Sequence, residues 1–142
     1  MSRIISYILT SILVLSVFLT YLGYRSYNDS SVTQSEYYSI LSIAESCKNL
    51  CIFAKLNLSI NITSQCLSDP DKITGKYWTY PNWACDTVNN PKTQDDELDI
   101  NKCKEYLYGH VKNLIEVDNN CNVVNIIYNG KNIYYNLSNQ NV

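Results

Sequence analysis

Glycine, histidine and charged residues are scarce in this chain of 142 residues. The four glycines are scattered, so the chain has no glycine-rich loop of the kind that cradles phosphate groups. The single histidine, His110, is accompanied by no nucleophile motif around any serine or cysteine, which argues against catalysis and predicts an exposed residue at a strand start. The formal net charge is −2 and the basic residues are dispersed, so we expect no nucleic-acid partner. These absences predict a protein without enzymatic activity and without a cofactor.

Charge is also missing between Arg3 and Arg25, and the run from Ile4 to Leu22 is apolar apart from scattered serine and threonine. With a rise of about 1.5 Å per residue, a helix of this length spans the hydrocarbon layer of a bilayer, roughly 30 Å thick. A cleaved signal peptide is the alternative, but the run is long and its end has no pair of small residues for signal peptidase. We therefore interpret residues 1–25 as an uncleaved, single-pass membrane anchor. The flanking charges favour a cytoplasmic N-terminus and an extracytoplasmic C-terminal part.

The remaining residues, 26–142, are enough for a single domain, and all the cysteines lie in it. An even number of cysteines in an exported domain predicts three disulfide bonds. Structural zinc is the alternative, but zinc sites favour close cysteine pairs such as C-x2-C, which are missing here. Cys47 and Cys51 are one helical turn apart, so each should bond to a cysteine elsewhere. Among the fifteen pairings that six cysteines allow, the working prediction is Cys51–Cys66, Cys85–Cys103 and Cys47–Cys121.

The order of predicted elements indicates an α+β fold. Residues 33–36 have the form of a capping box, and apolar residues recur behind them at steps of three and four, which predicts an amphipathic helix to about Lys55. This helix could continue from the membrane anchor. The alternation of Leu58, Ile60 and Ile62 with polar residues predicts a short strand with one wet face. Residues 68–99 contain all three prolines, so we expect an irregular segment held by disulfide bonds.

The last third of the chain predicts a C-terminal antiparallel β-meander. A short helix over residues 102–108 precedes two strands, 111–117 and 123–128, which flank a turn at residues 118–120. Asn129-Gly130 is a strong signal for a type I′ hairpin turn, because both residues adopt a positive φ readily. A third strand is then expected over residues 131–137.

Four sequons provide candidate glycosylation sites, at Asn28, Asn57, Asn61 and Asn136. The abundance of asparagine, serine and threonine alone predicts roughly three such matches, so the sequons are not enriched. They are compatible with glycosylation of a surface domain.

An aromatic loop at residues 77–83 places four rings within seven residues. Tyrosine and tryptophan give large contact areas at a low cost in conformational entropy, so the loop is a candidate partner-binding surface. The alternative is that Trp83 covers the disulfide of Cys85 while the other rings close a small core. The candidate partner-binding residues are Tyr77, Trp78, Tyr80 and Trp83.

Acidic residues are concentrated in a second loop, which contains Asp95, Asp96, Glu97 and Asp99. Calcium prefers such oxygen ligands, but the loop lacks the spacing and the glycine of an EF-hand. We therefore predict a solvated loop and no metal site, with calcium as the alternative.

Short motifs accompany the cysteines: Cys47-x3-Cys51, Trp83-Ala84-Cys85-Asp86, Asn90-Pro91-Lys92, Asn101-x-Cys103 and Ile115-Glu116-Val117-Asp118 with Cys121-Asn122. In these motifs the chain resembles a group of uncharacterised, membrane-anchored surface proteins with six cysteines that are encoded by small-genome archaea. The resemblance covers about half of the chain, with the cysteine order intact. It implies an anchored, disulfide-bonded domain and no particular activity.

Two further resemblances concern the layout alone. An apolar helix that runs into an amphipathic helix and then an antiparallel meander is similar to type IV pilins, although Met1–Ile4 departs from the pilin processing site. A single N-terminal anchor with a cysteine-bonded ectodomain resembles small subunits of the complex by which an enveloped virus enters its host cell. The favoured prediction is a structural or interaction protein of the cell surface with a protein partner or self-association. The alternatives are a pilin-like filament subunit and a component of such a viral complex.

Overall fold

The structure, a computed structural model, describes residue 7, residues 11–22 and residues 32–134. The chain divides into two compact units at about Gln34. In the first unit residues 11–22 are helical and their side chains are exposed. The rest of the predicted anchor, residues 1–6, 8–10 and 23–25, lies outside the described residues. Within the described ranges, no helix is both long and apolar enough to cross a bilayer.

The second unit has an α+β fold, as predicted. Its helices are α1 (Gln34–Leu56) and the single-turn α2 (Lys104–Leu107). Its strands are β1 (Gln65–Cys66), β2 (Trp83–Val88), β3 (Asn113–Asp118), β4 (Val123–Tyr128) and β5 (Lys131–Asn132). Two short 3-10 helices, Thr74–Tyr77 and Gln94–Glu97, lie on either side of β2.

Helix α1 begins and ends close to the predicted positions. The side chains of Ile40, Ala44, Cys47, Cys51 and Ala54 are buried, as the three- and four-residue spacing predicts. The predicted strand over residues 58–62 is wrong, because this segment closes the end of α1. The backbone N–H groups of Asn57 and Ile60 donate to carbonyl oxygens in the last turn of the helix, and Ser59 has a positive φ of 52°.

The five strands form one mixed sheet in the order β1-β2-β3-β4-β5. Neighbouring strands are antiparallel except β2 and β3, which are parallel. The predicted C-terminal meander is therefore correct only for β3, β4 and β5, and the predicted irregular segment contains strand β2. A parallel pair needs a long crossover, which residues 89–112 supply.

The hairpin between β4 and β5 is confirmed. Asn129 and Gly130 have φ values of 50° and 75°, as a type I′ turn requires, and Tyr128 pairs with Lys131 across it. Strand β5 ends at Asn132, and residues 135–137 of the predicted last strand lie outside the described residues.

All six cysteines form disulfide bonds, which join Cys47 to Cys85, Cys51 to Cys121 and Cys66 to Cys103. The number of bonds is confirmed, and the three predicted pairings are wrong. Both cysteines of α1 bond to cysteines on the side of the sheet that faces the helix. Cys47 bonds to Cys85 on β2, and Cys51 bonds to Cys121 just after β3. Cys66 is paired in register with Asp86, so it points to the opposite side, where it meets Cys103.

The sheet buries a different cluster on each face. On the face towards α1 the sheet buries four side chains, those of Cys85, Ile115, Val117 and Ile126. The opposite face buries a smaller cluster, which consists of Cys66, Ala84, Cys103, Val111 and Leu114 with Tyr106 and Ile127 packed against it. Strand β2 is buried along its whole length because it is covered on both faces.

Gly75 is fixed by a close approach of the backbone. A Cβ atom at this position would overlap the carbonyl group of Asp69, which is backbone and cannot rotate away. We therefore expect Gly75→Ala to lower the free energy of unfolding by about 1–3 kcal/mol in urea denaturation. Lys76→Ala, at the exposed neighbouring position, is the control and should change stability little. Equal stability of the two variants would contradict the close approach.

Candidate functional sites: an aromatic cleft and a carboxyl cleft

The first candidate site is a cleft of about 470 Å³ beside the aromatic loop. Trp78 and Tyr80 lie along it, together with Pro70, Pro81 and Glu105. We call it the aromatic cleft. Concave sites with apolar walls and a few polar groups are the usual shape of binding pockets.

The two principal rings of the aromatic cleft are held in place by their polar atoms. The indole Nε1 of Trp78 donates to the backbone oxygens of Tyr80, at 3.0 Å, and of Trp83, at 2.8 Å. The hydroxyl of Tyr80 lies 3.1 Å from Oγ of Ser46 on α1. The ring centroids of Trp78 and Tyr80 are 5.1 Å apart with a tilt of 60°. Because the polar atoms are occupied, the ring faces are left as fixed apolar walls.

The other two predicted partner-binding residues have different environments. Trp83 also borders the cleft, but it is 8 % exposed and stacks on Tyr128 with centroids 5.8 Å apart. Trp83 is therefore mainly buried rather than presented to the cleft. Tyr77 is exposed and packs against Phe53 of α1, with centroids 4.7 Å apart.

The second candidate site is a cavity of about 340 Å³ bordered by the face of the sheet opposite α1. Asp86 on β2 and Glu116 on β3 are register partners on adjacent parallel strands, so their side chains project side by side into it. Lys92 and Tyr106 also border this cavity, which we call the carboxyl cleft. Asp86 and Glu116 both lie in the motifs that accompany the cysteines, but the sequence assigns neither of them a role. The available signal was a single acidic residue inside each of two apolar runs.

Glu116 is held by donors from two sides. The Nζ of Lys92 lies 2.9 and 3.0 Å from its two carboxylate oxygens, and Nδ2 of Asn125 donates to Oε2 at 2.7 Å. The side chain of Lys92 is 50 % exposed while that of Glu116 is 9 % exposed. An ammonium group therefore reaches the buried carboxylate from the solvent side.

Asp86 lacks such a partner. No lysine or arginine that the structure describes lies within ion-pair distance of its carboxyl group. Burial, and next the negative charge of Glu116, raise the pKa of Asp86 to about 8, although backbone hydrogen bonds from Thr87 and Cys103 act in the opposite direction. Asp86 is therefore mainly protonated at neutral pH.

The acidic loop is only partly solvated. Asp95, Glu97 and Asp99 are exposed, whereas Asp96 is buried and forms a capping box with Thr93. Burial alone would raise the pKa of Asp96, but hydrogen bonds from the backbone N–H groups of Thr93 and Asn89 outweigh it and hold the pKa at about 2. Asp96 thus stabilises the loop, and the prediction of a solvated position is wrong for this residue.

His110 and the described sequons lie on the surface. His110 is exposed, as predicted, but it does not lie at a strand start, since β3 begins at Asn113. Its Nδ1 lies 3.1 Å from a carboxylate oxygen of Glu105. Asn57 and Asn61 are exposed, although no strand aligns them. Asn28 and Asn136 lie outside the described residues.

One buried group brings together residue types that bind metals. The carboxylate of Asp69 lies within 4.8 Å of the sulfur atoms of Cys66 and Cys103. Both sulfurs belong to one disulfide bond, so in this state the group offers a metal a single carboxylate.

Comparison of the chain with protein-family models, with curated proteins and with solved structures finds no significant match. The resemblance to archaeal six-cysteine surface proteins therefore stays a prediction.

Proposed function

We propose that the protein is a membrane-anchored protein of the cell surface that binds a protein partner through the aromatic cleft and performs no catalysis. The apolar run from Ile4 to Leu22 supports the anchor, with residues 26–142 as one extracytoplasmic domain. The three disulfide bonds support an oxidising location, since such bonds persist outside the cytosol.

The observation that carries the proposal is the fixed orientation of Trp78 and Tyr80. Both rings are tied down by hydrogen bonds before any partner arrives, so binding costs little conformational entropy at these side chains. Trp78 and Tyr80 are partly buried, and the ring surface that they present to the cleft beside two prolines gives the apolar contact typical of residues that dominate protein interfaces. Glu105 provides a polar acceptor at the same cleft.

The proposal is tested by cross-linking in native membranes followed by capture of the tagged full chain. We expect replacement of Trp78 and Tyr80 by serine to reduce recovery of the cross-linked partner at least tenfold, because interface tryptophan and tyrosine residues commonly contribute about 2 kcal/mol or more each. Tyr108→Ser is the matched control, since Tyr108 is an exposed tyrosine outside the cleft. Circular dichroism checks that the variants fold. Undiminished capture by a folded Trp78→Ser/Tyr80→Ser variant would exclude the aromatic cleft.

The pilin-like alternative has less support from the fold. That resemblance implies an antiparallel meander after the long helix, whereas β2 and β3 are parallel here. N-terminal sequencing of the mature protein distinguishes the two functions, since a filament subunit would be processed just before Ile4 and an anchored surface protein would keep its first residues.

A further inference from the structure

We propose that the carboxyl cleft binds the ammonium group of an aliphatic amine, with the carboxyl groups of Asp86 and Glu116 as its acceptors. This site is separate from the aromatic cleft, and the inference does not depend on the proposed partner. Three features support it: the geometry of the acceptors, the chemistry of the walls and the charge around Asp86.

The acceptors are placed for a donor with several N–H groups. Asp86 and Glu116 are register partners on strands that lie about 4.8 Å apart, and both border the same cavity. An ammonium group has three N–H donors, so one group can bridge two neighbouring carboxyl groups. The contact of Lys92 with Glu116 shows that an ammonium already fits against one of them.

The walls around the carboxyl groups suit an aliphatic stem. Leu107, Leu114 and Ile127 border the cavity, together with the ring of Tyr106. Its volume of about 340 Å³ is in the range of small-molecule pockets and leaves room for a short chain of methylene groups. The carboxyl groups on the sheet thus match the ammonium group of a primary amine, and the apolar side chains around them match its aliphatic stem.

The charge around Asp86 favours a cation over a neutral ligand. The residue Asp86 is 6 % exposed. Its carboxyl group forms no ion pair with a basic side chain among the described residues. The charged and titratable groups that border the cleft with it are Glu116, Asp96, Glu97, Lys92, Lys102 and Tyr106, and Asp69 acts on it from nearby. With Asp86 ionised, these acidic side chains outnumber the two lysines.

Binding is coupled to a proton. The Asp86 carboxyl loses its proton to the solvent, and the resulting carboxylate pairs with the incoming ammonium, so the total charge is conserved. Since that proton must leave, affinity should increase as the pH rises towards 8 and above. A divalent metal fits less well, because calcium needs six to eight oxygen ligands and the carboxylate of Asp96 is already held by the backbone N–H groups of Asn89 and Thr93.

The test is a titration of the full chain with n-butylammonium chloride, followed by NMR at pH 6 and at pH 8.5. We expect at least tenfold tighter binding at pH 8.5, with chemical-shift changes at β2 and β3. Asp86→Asn should weaken binding at least tenfold and remove the pH dependence; it is expected to fold, because the amide preserves the shape of the carboxyl. Asp99→Asn, an exposed position outside the cleft, is the control.

Three further probes, n-butanol, Nα-acetyl-lysine amide and calcium chloride, define the ligand class. n-Butanol shares the stem without the charge and should not bind, whereas Nα-acetyl-lysine amide presents the same ammonium on a peptide side chain. Binding of both amines indicates that a lysine of a partner is a source, and binding of n-butylammonium alone indicates a free amine. The inference is overturned if butanol binds as well as the amine, if calcium chloride binds and neither amine does, or if Asp86→Asn leaves amine affinity unchanged.

Discussion

Replacing Cys47 and Cys85 together by alanine is expected to lower the free energy of unfolding by about 4 kcal/mol, from the entropy of closing a loop of this length. The bond spans a sequence separation of 38 residues and is one of two that tie α1 to the sheet. Both cysteines have no solvent exposure, so the bond also lies in the packed layer between helix and sheet. Urea denaturation followed by circular dichroism measures the change.

The matched control is the double variant Cys66→Ala/Cys103→Ala, because its separation of 37 residues is almost the same. Loop entropy alone predicts an equal loss of stability for the two variants. Hydrogen exchange distinguishes them, since only loss of Cys47–Cys85 should speed exchange along α1. A loss below about 1 kcal/mol, or unchanged exchange in α1, would contradict the role assigned to this bond.

Asp86→Asn is expected to stabilise the protein at alkaline pH. The unfolded carboxyl titrates near 3.9, whereas the pKa of Asp86 in the folded chain is raised to about 8 by burial and by the charge of Glu116. Both states are protonated well below pH 4, so the wild-type carboxyl carries no penalty there and only a small one at pH 4. Between pH 4 and pH 8 the unfolded state loses its proton first, and wild-type stability falls by up to about 1.4 kcal/mol per pH unit.

The asparagine cannot ionise and escapes this loss. We therefore expect the variant to exceed the wild type by on the order of 5 kcal/mol at pH 9, with almost no difference at pH 4. Urea denaturation of both proteins across this range gives the difference directly, and effects of other titrating groups cancel in it. Asp99→Asn, at an exposed position, should follow the wild type. A stability difference that is the same at pH 4 and pH 9 would show that Asp86 does not titrate in this range.

The sequence predicted those features of the structure that depend on residues close together in the chain. The spacing of apolar residues behind Thr33 predicted α1, and Asn129-Gly130 predicted a turn whose positive φ values few other residue pairs adopt. The even cysteine count predicted three disulfide bonds. These features depend on the identity of residues that lie close together in the chain.

Features that depend on distant parts of the chain were not predictable in this way. Strand β2 is buried on both faces, so the sequence WACDTV lacks the polar alternation that marks a half-exposed strand. Its parallel pairing with β3 joins residues about 30 positions apart and decides which cysteines meet. The pairing of Asp86 with Glu116 follows from the same register, so the carboxyl cleft could only emerge together with the sheet.

Three specific disulfide bonds hold the α+β unit of this protein together. Cleavage by trypsin after lysine and arginine places every cysteine in a different peptide, since Lys48 separates Cys47 from Cys51. Mass spectrometry of unreduced, alkylated protein from its native source should therefore find three linked peptide pairs, Cys47 with Cys85, Cys51 with Cys121 and Cys66 with Cys103. Six alkylated thiols, or cysteines linked in other pairs, would contradict the account.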